Sequence, residues 1–404
     1  MKIAILMPWI GIGGISQFTL DLGNYLLAHE YDVTVVTLYE QGARWGLLAD
    51  IGIQAMHLPL RCQDSRVQHV VRLADYLARQ QFDSAIVNIG IPNWAGYHCV
   101  SFLPDPMLAL AVLQNDRPGV YQGASVHGDA WNIVVAVSPQ VQRMAATRLP
   151  GKQVRLIPNG VRCPTAAELA QRAAWSTPLR LLFVGRLVDR HKGIYQLPGI
   201  LRHCLAQDQA VTLTVVGDGQ DRLGLERRFA DEGVAERVEM VGALPNETVY
   251  AAMQAHHILL LPSHFEGDPM VLKEALANGC VPVASRLPGI TDAVVRESVD
   301  ALLAAPGDSL AFANQIAALA DPLRWRTFSE AGIAHARAHL ATAVMGRQYD
   351  SLLRELAAGG APLAQPRHHG RWQRLGRYGW RDFVPSGPLD SFRRLRARFR
   401  RTVL

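Results

Sequence analysis

The chain is short of cysteine, moderate in charge and without any long hydrophobic run. Its five cysteines, Cys62, Cys99, Cys163, Cys204 and Cys280, are scattered, odd in number and never form a C-x-x-C pair. That pattern excludes a disulfide framework and a cysteine-based zinc site, and it fits a reducing compartment. Charged residues make up 19% of the chain and hydrophobic ones 49%, so a solvated or fibrous chain is excluded and a globular α/β protein fits. The opening "MKIAILMPWIGIGG" breaks into glycines too early for a spanning helix, and no small-residue cleavage site follows it. It reads as a first strand, and no transmembrane segment is expected elsewhere.

The formal charge of +6 is unevenly placed. Between Pro366 and Leu404 eleven arginines meet only Asp382 and Asp390, a surplus of nine positive charges that leaves residues 1–365 at −3. A mildly acidic body with no matching basic patch argues against a nucleic-acid partner. In the tail, "SFRRLRARFRRTVL" sets Phe392, Leu395, Phe399 and Val403 on one helical stripe, with Arg393, Arg394, Arg400 and Arg401 largely off it. Trp372, Tyr378 and Trp380 precede it. Such a segment suits an anionic membrane surface, and a disordered basic extension fits the same composition. The expected location is cytoplasmic, and the membrane reading of the tail adds a peripheral position at the inner face of the membrane.

At 404 residues the chain exceeds the size at which one core keeps growing, so two domains are expected. Apolar runs alternate with helical stretches: "KIAILMP", "DVTVVTL", "SAIVNI", "MLALAVL", "IVVAVS" and "VRLIPNG", then "LRLLFVG", "VTLTVVG", "RVEMVG", "HILLLP", "VPVAS" and "ALLAA". Near-continuous apolar strands of this kind belong to parallel sheets covered on both faces. The expected fold class is α/β, with two doubly wound Rossmann-like domains at residues 1–164 and 165–335. A helix over 336–360 and a basic amphipathic tail over 361–404 follow. Ligands of such sheets sit beyond the carboxyl ends of the strands, which is where the glycines of this chain gather.

The stretch "SHFEGDPMVLKEALANG" at 263–279 carries the densest signal. Asp268 is expected to cap a helix whose first residue is Pro269 and whose stop is Gly279. The free amides and positive end of such a helix form an anion site. Glu266 before it and Glu274 inside it are suited to hydroxyls, so the ligand is one with hydroxyls on both sides of its phosphates, as in a nucleotide sugar. Arg186, after the first strand of the second domain, and Lys192, six residues on, supply cations for a diphosphate without a metal. Gly13 and Gly14, after the first strand of the chain, allow bare backbone to approach the phosphates.

In this order, "GIGGIS", "AVSPQV…LIPNGV", "FVGRL…KG", "VVGDG" and "FEGDPMVLKEALANGCVPVAS", the motifs resemble the retaining glycosyltransferases of family 4, which have the GT-B fold. The resemblance runs from residue 1 to about Leu356. It implies transfer of a sugar, with retention, from a UDP- or GDP-sugar to a glycan or lipid-linked acceptor in cell-envelope polysaccharide or lipopolysaccharide assembly. No cofactor and no metal are implied. By this similarity Arg186 and Lys192 hold the diphosphate, Glu266 contacts the donor sugar and Glu274 the ribose. Gly267 and Asp268 offer backbone amides, the segment around Val241 borders the base, and "QYDSLLRELA" is the closing helix that returns to the first domain. Where many members have a histidine near the donor sugar this chain offers Gln114, with Asp116 beside it as a further sugar or acceptor contact; His127 does not match the position. The alternatives are an epimerase on the same fold, and a scaffold that binds nucleotide or glycan without turnover.

Overall fold

Every one of the twelve apolar runs becomes a strand. The computed structural model describes residues 1–59, 64–89 and 94–360, with Leu363 and Arg367; Cys62, the tail stripe and the aromatic residues before it lie outside the described residues. The described residues divide into two compact units, 1–159 with 342–360, and 160–341.

In unit 1 the strands are β1 (Lys2–Met7), β2 (Asp32–Thr37), β3 (Gln54–His57), β4 (Ser84–Ile89), β5 (Leu108–Leu113), β6 (Ile133–Ala136) and β7 (Val154–Leu156), ordered β3-β2-β1-β4-β5-β6-β7. In unit 2 they are β8 (Leu179–Val184), β9 (Val211–Val216), β10 (Val238–Gly242), β11 (Ile258–Leu261), β12 (Val281–Ser285) and β13 (Leu302–Ala304), ordered β10-β9-β8-β11-β12-β13. Neighbouring strands pair in parallel throughout both sheets. Helices cover both faces, and β4 and β11 are buried at every residue. The edge strand β3, "QAMH", has no apolar run to mark it, because three of its four residues are exposed and an edge strand needs none.

The expected closing helix begins later than residue 336. Ala336–Leu340 forms a π-helical turn whose Ala336 and Leu340 are buried in unit 2, and the helix proper, Thr342–Ala357, belongs to unit 1. There it packs on the first helix, Gly14–Ala28. Gly346 approaches so closely that an added Cβ would lie 2.2 Å from Tyr25 Cγ, and Tyr349 lies 5.9 Å from Phe18 between ring centres. Arg155 donates to both oxygens of Glu355 at 2.9 Å. The two segments where the chain passes between units are joined inside unit 2, where Val161 N donates to Leu340 O at 2.8 Å.

Arg367, counted above with the basic tail, is not a surface charge. Its side chain is fully buried in unit 1. Nε and Nη2 donate to Ala130 O, Nη1 to the carbonyls of Pro104 and Met107, and Nη2 also to Asn132 Oδ1, at 2.6–3.0 Å. Five contacts match the five N–H groups of a guanidinium, so the chain just before the arginine-rich region is anchored to the loops that enter β5 and β6.

The first helix also half-buries Asp21. Gln17 Nε2 donates to its Oδ1 at 2.9 Å, and Arg44 Nη1 donates to Gln17 Oε1 at 2.9 Å, while Oδ2 finds no donor among the described residues. Burial pushes the carboxyl up to about 6, against the opposing pull of the Gln17 hydrogen bond and the Arg44 charge. The folded chain therefore holds a proton that the unfolded chain has released between pH 3.8 and about 6, and stability falls as pH rises through that window. Asp21→Asn should stabilise unit 1 by roughly 1–2 kcal/mol at pH 8, with the gain vanishing at pH 3.5, as read by urea unfolding at the two pH values.

Candidate functional site

The order of the second sheet locates a site before any side chain is considered. From β8 the chain runs outward through β9 and β10, and from β11 outward the other way through β12 and β13. The helices after β8 and after β11 thus leave to opposite faces, and a crevice opens between those two strand ends. The loops that border it are 185–193 and 262–269. They hold Arg186, Lys192, Glu266, Gly267 and Asp268 of the sequence analysis.

The two loops are stitched together. His264 N and Phe265 N both donate to His191 O, at 2.9 and 3.1 Å, and Gln196 Nε2 donates to Pro262 O at 3.1 Å. Gly193 closes the short helix Asp189–Lys192 with φ 58°. A Cβ there would sit 2.1 Å from Pro262 O, so only glycine lets the loops meet. The loop after β9 braces the arrangement: Asp221 Oδ2 accepts from Asp189 N at 2.7 Å, and a side chain on Gly217 (φ 143°) would strike Gly185 O.

This backbone brings Lys192 Nζ to 2.7 Å from Glu266 Oε1, with the side chains 17% and 10% exposed. Ser263 Oγ donates to the same oxygen at 2.7 Å. Both bonds fall on Oε1, which leaves Oε2 of Glu266 without a donor among the described residues. The Arg186 side chain is exposed and has no hydrogen bond or ion pair to any described residue. The loops after β8 and β11 therefore present the exposed Arg186 guanidinium, an ammonium shared with a carboxylate, and a carboxylate oxygen with no donor among the described residues.

Two further candidates lie in unit 2. Glu274 is the fifth residue of the helix Met270–Asn278 and is half-buried. Val241 is 39% exposed at a bulge in β10, where pairing with β9 skips from Met240 to Gly242. Asp268 departs from expectation. The helix cap is Pro269, with no side-chain hydrogen bond, and the Asp268 carboxylate turns inward to Lys273 Nζ at 2.5 Å. Neither Lys273 nor Ser263 was singled out in the sequence, since a lysine in "VLKEAL" reads as a surface residue and a serine after a strand as a turn.

The remaining candidates lie in unit 1. Gly13 (φ 136°) caps the first helix and Gly14 starts it, both exposed. Gln114, just after β5, is 6% exposed: its Nε2 donates to Asn88 Oδ1 at 2.9 Å and its Oε1 accepts from Asn159 Nδ2 at 3.0 Å. Asp116 accepts from Tyr121 Oη at 2.6 Å and from Gln140 Nε2 at 3.1 Å. Both side chains are thus engaged within unit 1. His127 is fully buried, with Nε2 3.0 Å from His98 Nδ1. Among the described residues no group of three or more histidine, cysteine or acidic side chains could hold a metal ion, and no helix is long and apolar enough to cross a membrane.

Known proteins resemble the chain in its second unit and in its fold. Residues 178–321 match the family described as Glycosyl transferases group 1. The amylovoran biosynthesis glycosyltransferase AmsK of Erwinia amylovora is 30% identical over 177 residues, 42% of this chain and 43% of that protein. The 2-deoxystreptamine glucosyltransferase of Streptomyces kanamyceticus is 32% identical over 139 residues, 34% and 35% of the two chains. The matched stretches span less than half of these relatives. Among solved structures, HepE of Anabaena, crystallised with UDP and glucose, superposes with a TM-score of 0.72 at 19% identity, covering 88% of this chain and all of that one. Sucrose-phosphate synthase from Thermosynechococcus elongatus gives 0.69 at 21% identity, over 89% and 99%. Two parallel-sheet Rossmann-like units of this kind are the GT-B fold.

Removal of the Ser263 hydroxyl by Ser263→Ala should destabilise unit 2 by about 1–2 kcal/mol. Lys192→Met, which strips a largely buried carboxylate of its ammonium, should cost about 2–4 kcal/mol. Urea unfolding of the two variants checks the ranking, and a smaller loss for Lys192→Met would show that the ion pair matters less than the hydroxyl.

Proposed function

We propose that the protein is a metal-independent, retaining glycosyltransferase of family 4 that moves a sugar from a UDP- or GDP-sugar to a glycan or lipid-linked acceptor in cell-envelope polysaccharide or lipopolysaccharide assembly. One observation carries the reading: Lys192 and Glu266 pair at the strand-end crevice of unit 2, with Arg186 exposed in the loop that carries Lys192, inside the stretch that matches the glycosyltransferase family. Relatives named for amylovoran, colanic acid and teichuronic acid biosynthesis support the polysaccharide context.

The chemistry follows from charge. As the bond between the anomeric carbon and the phosphate oxygen breaks, its electron pair goes to the diphosphate and positive charge develops on the sugar. Arg186, having no partner among the described residues to leave, meets the diphosphate directly. Lys192 adds a second cation, and the first amides of the helix that carries Glu274 add partial positive charge. Glu266 Oε2 accepts from a donor-sugar hydroxyl while Oε1 stays held by Lys192 and Ser263. Glu274 accepts from the ribose, Gly267 and Asp268 contribute backbone amides, and Val241 borders the base. The departing phosphate oxygen takes the acceptor's proton on the same face as the new bond, so no side chain is required as a base. Gln114 and Asp116 are assigned to holding unit 1 together.

The arginine-rich tail is proposed to bind an anionic membrane surface, which would place the enzyme at the inner face of the membrane beside a lipid-linked acceptor. Truncation after Gly370, which keeps the Arg367 anchor, should release the protein from acidic liposomes in flotation, and unchanged flotation would refute this part.

Release of UDP or GDP from nucleotide sugars in the presence of acceptor, with glycoside formation, tests the whole proposal. Glu266→Ala should lower turnover by about 10²–10³ with nucleotide affinity nearly unchanged. Glu274→Ala should weaken nucleotide binding by about tenfold. The reverse pattern would exchange the two roles, and consumption of nucleotide sugar without acceptor and without glycoside would indicate an epimerase.

A further inference from the structure

The ion pair between Asp268 and Lys273 is the most deeply buried one described in unit 2, with side chains 2% and 0% exposed. Arg202–Glu232, Arg222–Glu226 and Arg286–Glu297, by contrast, are open to solvent on both sides. Taking two charges out of water is costly, and apolar residues of similar volume commonly replace such a pair without loss of stability. Its presence therefore calls for a reason other than stability.

The reason lies in where its two ends sit. Asp268 is two residues past Glu266, in the loop, and Lys273 is one residue before Glu274, in the helix. Helical side chains lean toward the N-terminus, so the stem of Lys273, the fourth helical residue, runs back along the first turn until its ammonium meets Asp268 Oδ1. Burial drives the ammonium toward losing its proton, and the Asp268 charge opposes this. The ammonium also cancels a carboxylate that would otherwise repel an anion from the helix start.

We propose that Asp268–Lys273 is a positioning pair, which ties the loop bearing Glu266 to the helix bearing Glu274 and so sets the spacing of the two carboxylates and the aim of the amides between them. Its consequence for turnover rests on the donor-site reading above. Displacements of an ångström at such sites cost up to about a hundredfold in rate.

The double variant Asp268→Leu/Lys273→Met removes both charges together, so that neither is left buried without its counter-charge. It should fold with a melting temperature near wild type, show amide exchange over residues 266–271 about tenfold faster than wild type, and lose about tenfold in kcat with the acceptor KM unchanged. Asp268→Glu, which keeps both charges and lengthens the arm by one methylene, should also lose turnover while melting normally; it serves as the measurement should the double variant fail to fold. Wild-type exchange and wild-type kcat in either folded variant would overturn the proposal. If the wild-type protein turns over no nucleotide sugar, the donor-site reading fails by itself. Exchange over 266–271 then decides the pair alone, faster exchange supporting it and unchanged exchange overturning it.

Discussion

The reversal of winding direction between β8 and β11 is the constraint on which the site depends. Because the chain leaves these adjacent strands toward opposite faces of the sheet, their loops stand side by side at the carboxyl ends with no helix between them. Lys192 and Glu266 are 74 residues apart in sequence and 2.7 Å apart in space for this reason. Gly193, Gln196 and the His191 carbonyl then lock the two loops to each other, so the ion pair sits on backbone that has little freedom to move.

Charge at this crevice is divided among groups with different commitments. Arg186 is exposed and unpaired among the described residues, Lys192 is shared with Glu266, and Lys273 is buried against Asp268. The first has no partner among the described residues, the second is shared with a carboxylate, and the third neutralises a buried aspartate. A count of cations in the motif would treat these three as equivalent, and burial separates them.

Unit 1 is held by polar groups as well as by its apolar core. The amides of Asn88, Gln114 and Asn159 form a buried chain, and the Arg367 guanidinium fills a socket of main-chain carbonyls. The Thr342–Ala357 helix docks through the gap that Gly346 leaves for Tyr25. Buried polar networks of this kind fix one arrangement because any other leaves donors or acceptors without partners.

The sequence by itself determined the class of fold, twelve of the thirteen strands, the loops in which the site would be found, and Arg186, Lys192, Glu266 and Glu274 as candidates within them. These are local properties: a strand buried on both faces must be apolar throughout, and glycines must occur where loops approach. The edge strand β3 escaped because exposure removes that requirement. Tertiary structure alone decided that Asp268 pairs with Lys273 instead of capping its helix, that Gln114 and Asp116 are engaged within unit 1, and that Arg367 is an anchor instead of a surface charge. Each of those outcomes turns on which donor or acceptor lies within about 3 Å of a given polar atom, a distance set by packing between residues far apart in the chain and by no pattern along it.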